Sequence, residues 1–182
     1  MIEKGKLLLS EPFMLDPNFK RSVVLIADHD EQLGTVGFVL NQKSEYRLDE
    51  LIEDIGSFNA DVYIGGPVAN NVLHFLHNVG DMIEDSIPVS RGIYWGGDFE
   101  ATKFLMLQGV VKPENIRFYL GYSGWSEGQL KEEMQENSWI MEDMDPNYLF
   151  NTDPELLWKL VLARKGETYS ALSQMDGDYI FN

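Results

Sequence analysis

The run LGYSGWSEGQL at residues 120–130 decides how the rest of the chain is read. It holds three glycines, two serines, a tryptophan and a glutamine within eleven residues. Upstream, IRFYLGY at 116–122 alternates as a strand does. Downstream, residues 127–135 read as a helix, and Ser126 precedes Gln129 in the S-x-x-Q relation of a capping box. The predicted geometry has the Ser126 hydroxyl accepting from the Gln129 amide, while the glutamine side chain reaches back to the Ser126 amide. Glu127 in the first turn suits the helix dipole and opposes an incoming anion. The run thus reads as a strand end, a glycine-enabled turn and a capped helix start, with Trp125 packed as an anchor.

The same residues invite a catalytic reading, which the pattern weakens. A nucleophile elbow needs G-x-S-x-G, and the fifth position around Ser123 is Trp125. A nucleophilic serine also needs an imidazole held by a carboxylate, and only His29, His74 and His77 are available. His74 and His77 lie in VLHFLH, which reads as a strand, so a spacing of three sends them to opposite faces. His29 sits among Asp28, Asp30 and Glu31 without the spaced pattern of a calcium loop. The pairs Gly65-Gly66 and Gly96-Gly97 belong to neither G-x-G-x-x-G nor G-x-x-x-x-G-K-[ST]. They read as sharp turns or close backbone approaches, with Pro67 fixing the first. No catalytic residue, metal or cofactor is therefore assigned.

Outward from this run, the chain reads as strands first and helices later. Short strands are predicted at 6–9, 22–27 and 35–40, the last two joined by an acidic turn. Leu48, Leu51, Ile52 and Ile55 predict a helix stopped by Gly56. Further strands are expected at 61–64, 72–77, 93–95 and 139–141. Asp98 caps a predicted helix through Gln108 that turns Ala101, Phe104 and Leu105 inward. Asp153-Pro154-Glu155 opens the last major helix. With no repeat or linker, residues 1–182 read as a single α+β domain with a mixed or mostly antiparallel sheet and interspersed helices.

Of 182 residues, 30 are acidic and 14 basic, giving a formal charge of −16. A phosphate backbone repels such a chain unless its cations gather, and they do not gather in sequence. Folding would have to bring together Lys4, Lys6, Lys20, Arg21, Lys43 and Arg47. Direct nucleic-acid binding is therefore not expected. No apolar run approaches the roughly 20 residues of a membrane span, and Leu7-Leu8-Leu9 is too brief for a signal-peptide core. The expected compartment is the cytoplasm, with no membrane association. Cysteine is absent, which removes disulfides and thiolate chemistry.

In order along the chain stand PFMLDPNFKRSV from Pro12, GFVLN ending at Asn41, YIGGPV at 63–68, Leu76-His77, the 120–130 run, Trp139-Ile140, Leu149-Phe150 and Trp158. This ordered set resembles the YqgE/AlgH family of bacterial proteins, whose members are sometimes labelled transcriptional regulators. The resemblance implies an α+β fold with strongly bent sheets forming a partial barrel, and it implies no reaction. Two departures stand out: Asn41 is followed by Gln42 and Lys43 where the family commonly has arginine and proline, and the chain ends in Asp178-Tyr179-Ile180-Phe181-Asn182.

Two functions are carried forward. One is a non-catalytic regulatory or protein-binding module, any transcriptional role passing through a protein partner. The other is a small-ligand-binding protein or hydrolase-like enzyme with a pocket near 120–130. The candidate ligand or partner site comprises Asn41, Gly65, Gly66, Pro67, Gly121, Ser123, Trp125 and Gln129. Oligomeric state is not assigned.

Overall fold

The computed structural model describes residues 1–175, so the C-terminal departure at 178–182 lies outside the described residues. In chain order the strands are β1 (Leu7–Ser10), β2 (Val23–Asp30), β3 (Gly34–Val39), β4 (Lys43–Arg47), β5 (Asp61–Ile64), β6 (Val68–His77), β7 (Ile87–Ser90), β8 (Ile93–Trp95), β9 (Ile116–Trp125) and β10 (Trp139–Glu142). The α-helices among the described residues are α1 (Leu48–Leu51), α2 (Phe99–Leu107), α3 (Gln129–Gln135), α4 (Pro146–Phe150), α5 (Pro154–Ala163) and α6 (Glu167–Gln174).

Among the described residues the strands form one ten-stranded sheet in the order β10-β1-β2-β3-β9-β6-β8-β7, with the β4–β5 pair attached to β9. All pairings are antiparallel except β5 against β9. The sheet is mixed and stays open: β10 and β7 stand at its two ends rather than pairing to close a barrel.

β9 organises this sheet, and it changes partner within the 120–130 run. Its first half runs parallel to β5, with Val62, Tyr63 and Ile64 opposite Phe118, Tyr119 and Leu120. Beyond Gly121 the same edge pairs with β3 instead, Gly37, Val36 and Thr35 facing Ser123, Gly124 and Trp125. β6 occupies the other edge. The strand therefore extends to Trp125, three residues past the predicted end, because β3 takes up the backbone groups that β5 releases.

Period-two alternation in the central strands divides the core. Leu7, Leu9, Val23 and Leu25 face Tyr148 and Leu149 of α4 and Leu157, Trp158, Val161 and Leu162 of α5. From the same strands, Leu8, Val24 and Ile26 face the other way, onto Trp125, Leu130 and Trp139. A third cluster gathers Leu48, Val62, Phe75, Met106 and Phe118 beneath α1 and α2. Each such side chain contributes roughly 1.5–3 kcal/mol on burial.

Local signals place several elements where expected. Asp98 accepts from the Ala101 amide at 3.1 Å and caps α2. Asp153 caps α5 through the Glu155 amide at 3.0 Å. The apolar spacing at 48–55 does not make a long helix. α1 ends at Leu51, Ile52 is extended, and Asp54 takes φ +58, yet Leu48 and Ile55 still reach the third cluster. In α2 the expected inward Phe104 is 59% exposed; Thr102 and Met106 are the buried residues.

Candidate functional site

Six of the eight candidate residues meet at the β3–β5–β9 junction, where Gly65, Gly66, Gly121 and Ser123 bond or abut backbone. The Gly65 carbonyl accepts from the Val39 amide at 2.8 Å and from the Ser123 hydroxyl at 3.0 Å. The Gly65 amide donates to the Leu120 carbonyl at 2.8 Å. One glycine thus ties together the three strands at the point where β9 changes partner. A Cβ on Gly65 would lie 2.3 Å from the Gly121 carbonyl oxygen, and one on Gly121 would lie 2.7 Å from that of Gly66. Gly121 also has φ +70, so both space and backbone require glycine there. Gly66 is buried with its backbone against Tyr122 and Ser123, while Pro67 is exposed at the turn.

Ser123 is fully buried and its hydroxyl is committed to Gly65, so it has the position of a strand tie rather than of an accessible nucleophile. Trp125, only 4% exposed, stacks on Phe19 at 5.9 Å and meets Trp139 edge-on at 5.8 Å. Asn41 stands apart from this junction. Its side chain accepts from the Val23 amide at 3.0 Å and donates to the Arg21 carbonyl at 2.9 Å. That clip holds Arg21 at φ +52, with its guanidinium 4.4 Å above the Trp158 ring.

Gln129 belongs to the exposed side of the run, and half of the predicted capping box is present. Its side-chain oxygen accepts from the Ser126 amide at 3.0 Å. The Gln129 amide, however, donates to the Ser126 carbonyl at 3.1 Å rather than to the hydroxyl, and Gly128 at φ +76 is the residue that caps α3. Glu127 consequently precedes the helix instead of sitting in its first turn.

Glu133 is the site residue that the sequence reading missed. One of its carboxylate oxygens accepts from both indoles, Trp125 at 2.8 Å and Trp139 at 2.9 Å. The other accepts from Gln129 Nε2 at 3.3 Å. The i, i+4 spacing of Gln129 and Glu133 was available as a signal; the convergence of two tryptophans from different strands was not.

The histidines separate as the strand reading of VLHFLH requires. His77 is buried: its Nε2–H donates to the Gly96 carbonyl at 2.8 Å while Nδ1 accepts from the Val79 amide at 3.3 Å. His74 lies on the opposite face among Phe38, Trp95 and Tyr122, and among the described residues its buried Nε2 has no hydrogen-bond partner. Burial lowers the pKa of both, the Gly96 bond partly opposing this at His77. His29 pairs with the Thr35 hydroxyl at 2.7 Å. Among the described residues no three His, Asp or Glu side chains converge as a metal site would require.

A cavity of about 580 Å³ opens on the outer side of the 120–130 run. Ile2, Leu130, Met134 and Met141 supply its apolar surface. Asp30, Glu31 and Glu127 contribute carboxylates, against Lys131, the α-ammonium of Met1, and His29. None of the eight candidate residues lines it; the run contributes Ser126, Glu127, Gly128 and Leu130 instead. Its apolar residues are continuous with the cluster that holds Trp125 and Trp139.

Residues 7–170, almost the whole described chain, match the sequence family described as AlgH-like. The chain belongs to the AlgH-like family. A UPF0301 protein of Chlorobaculum parvum is 40% identical over 169 residues, spanning 93% of this chain and 90% of that one. One from Cytophaga hutchinsonii is 40% identical over 174 residues, 95% of each. The solution structure of the AlgH protein from Pseudomonas aeruginosa is 30% identical with a TM-score of 0.73, covering 95% of this chain and 94% of its own. A crystal structure from Corynebacterium diphtheriae shares the fold, with a TM-score of 0.81 at 21% identity over 96% and 93% of the two chains.

Proposed function

We propose that this AlgH-like chain is a non-catalytic, protein-binding regulatory module of the cytoplasm, acting on transcription only through a protein partner. The observation that carries this reading is the division of the 120–130 run. Its inward side, Gly121 to Trp125, is consumed by backbone ties and ring packing. Its outer side borders a methionine-bearing cavity, and flexible, polarizable methionines suit adaptable contact surfaces. The dispersal of the basic residues supports the same reading. Lys6 pairs with Asp143, Lys43 and Arg47 share Asp61 at 3.4 and 2.8 Å, and Arg21 donates to the Ser173 and Met175 carbonyls. The described helices include none long and apolar enough to cross a membrane.

A second reading, a small-ligand protein, is favoured by the cavity's volume, which falls within the range of about 300–1,000 Å³ usual for ligand pockets. Affinity purification from the native cell, with mass spectrometry of everything retained, separates the two. Expected is a stoichiometric protein partner together with no sequence-specific DNA binding in a low-salt titration. Specific DNA binding with a steep salt slope contradicts the proposal. A co-purified metabolite without a polypeptide would transfer the case to the second reading.

A further inference from the structure

Resting on the protein-binding reading, we infer that the cavity beside α3 docks a cationic amphipathic segment of another protein, apolar residues entering between α3 and the β2–β3 hairpin. Two features of the cavity define that chemistry. Its apolar surface comes from Ile2, Leu130, Met134 and Met141, of which Leu130 is buried and the other three are partly covered. Side chains of this kind accept the apolar face of a peptide without demanding one shape.

The second feature is the charge around the opening. Asp30 and Glu31 approach from the hairpin and Glu127 from the turn before α3; Lys131 and the α-ammonium of Met1 oppose them, and His29 is the remaining titratable side chain of the lining. Asp30 accepts from the Leu33 and Gln32 amides at 2.9 and 2.8 Å, bonds that lower its carboxyl pKa. Lysines or arginines flanking an apolar stripe would find carboxylates on both sides of the opening. A second copy of this chain is a poor occupant: with 30 acids against 14 bases, two copies repel each other. An acidic or phosphate-bearing partner meets the same opposition.

The test is a titration of the isotope-labelled full chain with a synthetic leucine–lysine amphipathic peptide, followed by NMR. Expected are shifts at the methyl groups of Ile2, Leu130, Met134 and Met141, weakening with salt. The exposed double variant Glu31→Lys/Glu127→Lys should bind about tenfold more weakly or worse, a typical scale for reversing interfacial charges. A leucine–glutamate peptide should produce no shifts there. Shifts confined to another face, equal binding of the glutamate peptide, or unchanged affinity in the double variant overturn the inference. If the lysine peptide fails while a protein partner still co-purifies from cells, only the inferred partner chemistry falls. If a nucleic acid or metabolite is retained and no polypeptide, the protein-binding reading falls with it.

Discussion

At the scale of single residues, Glu133 is the most consequential side chain that no motif announces. It is partly buried and serves two indole N–H groups with one oxygen, holding Trp125 and Trp139 edge-on between the sheet and α3. Removing it strands two donors in a covered environment, and each such loss costs about 1–3 kcal/mol. Glu133→Ala should therefore lower stability by roughly 2–6 kcal/mol in urea unfolding and shift the tryptophan emission. Glu133→Gln, which retains an acceptor, should lose less than half as much. An alanine variant as stable as the parent would show that the carboxylate contributes nothing to this packing. Asn41, Gly65 and Ser123 were legible as notable positions because glycines and polar residues cluster there at strand ends, where sites often lie. Their roles as backbone ties were not legible, since the partners lie 18 to 58 residues away.

Among elements, the signals that act within one turn were the readable ones. Asp98 and Asp153 cap helices through amides two or three residues ahead, which sequence spacing alone expresses. The partner change along β9 is different in kind, because it depends on β5 turning away at Gly65 and β3 arriving beside Ser123. The apolar period at 48–55 misled for a related reason. Packing onto Phe58, Val62 and Phe118 satisfies Leu48 and Ile55 without a helix that spans both, and a four-residue helix has little intrinsic stability to resist that pull.

β6 carries a consequence for pH. Burial lowers the pKa of His74 and His77 below the ordinary 6.5, so the folded chain binds their protons more weakly than the unfolded chain. Their contribution to stability is present above the unfolded value and is lost as pH falls through the folded values. At His77 the added proton would also occupy Nδ1, which accepts from Val79. Urea midpoints should fall from about pH 7 to about pH 5, and His74→Phe, which keeps a ring among Phe38, Trp95 and Tyr122, should flatten that slope. An identical slope in the variant would mean that His74 does not contribute to it.

At the scale of the whole molecule, the ordered motifs and the alternation of strands and helices made the AlgH-like α+β fold readable from the sequence. The cavity was not readable, because residues near 2, 30, 127–135 and 141 line it and no contiguous motif joins them. The 120–130 run links the two scales: its glycines and Ser123 fasten three strands, and that junction sets α3 beside the acidic hairpin. The proposed protein partner would bind this outer face. The most direct measurement places a photo-crosslinking amino acid at exposed Gln135, on the cavity lining, and irradiates the native cells. A discrete protein adduct is expected, and it should disappear in the Glu31→Lys/Glu127→Lys background. An adduct to nucleic acid, or a protein adduct indifferent to those reversals, would contradict the proposal.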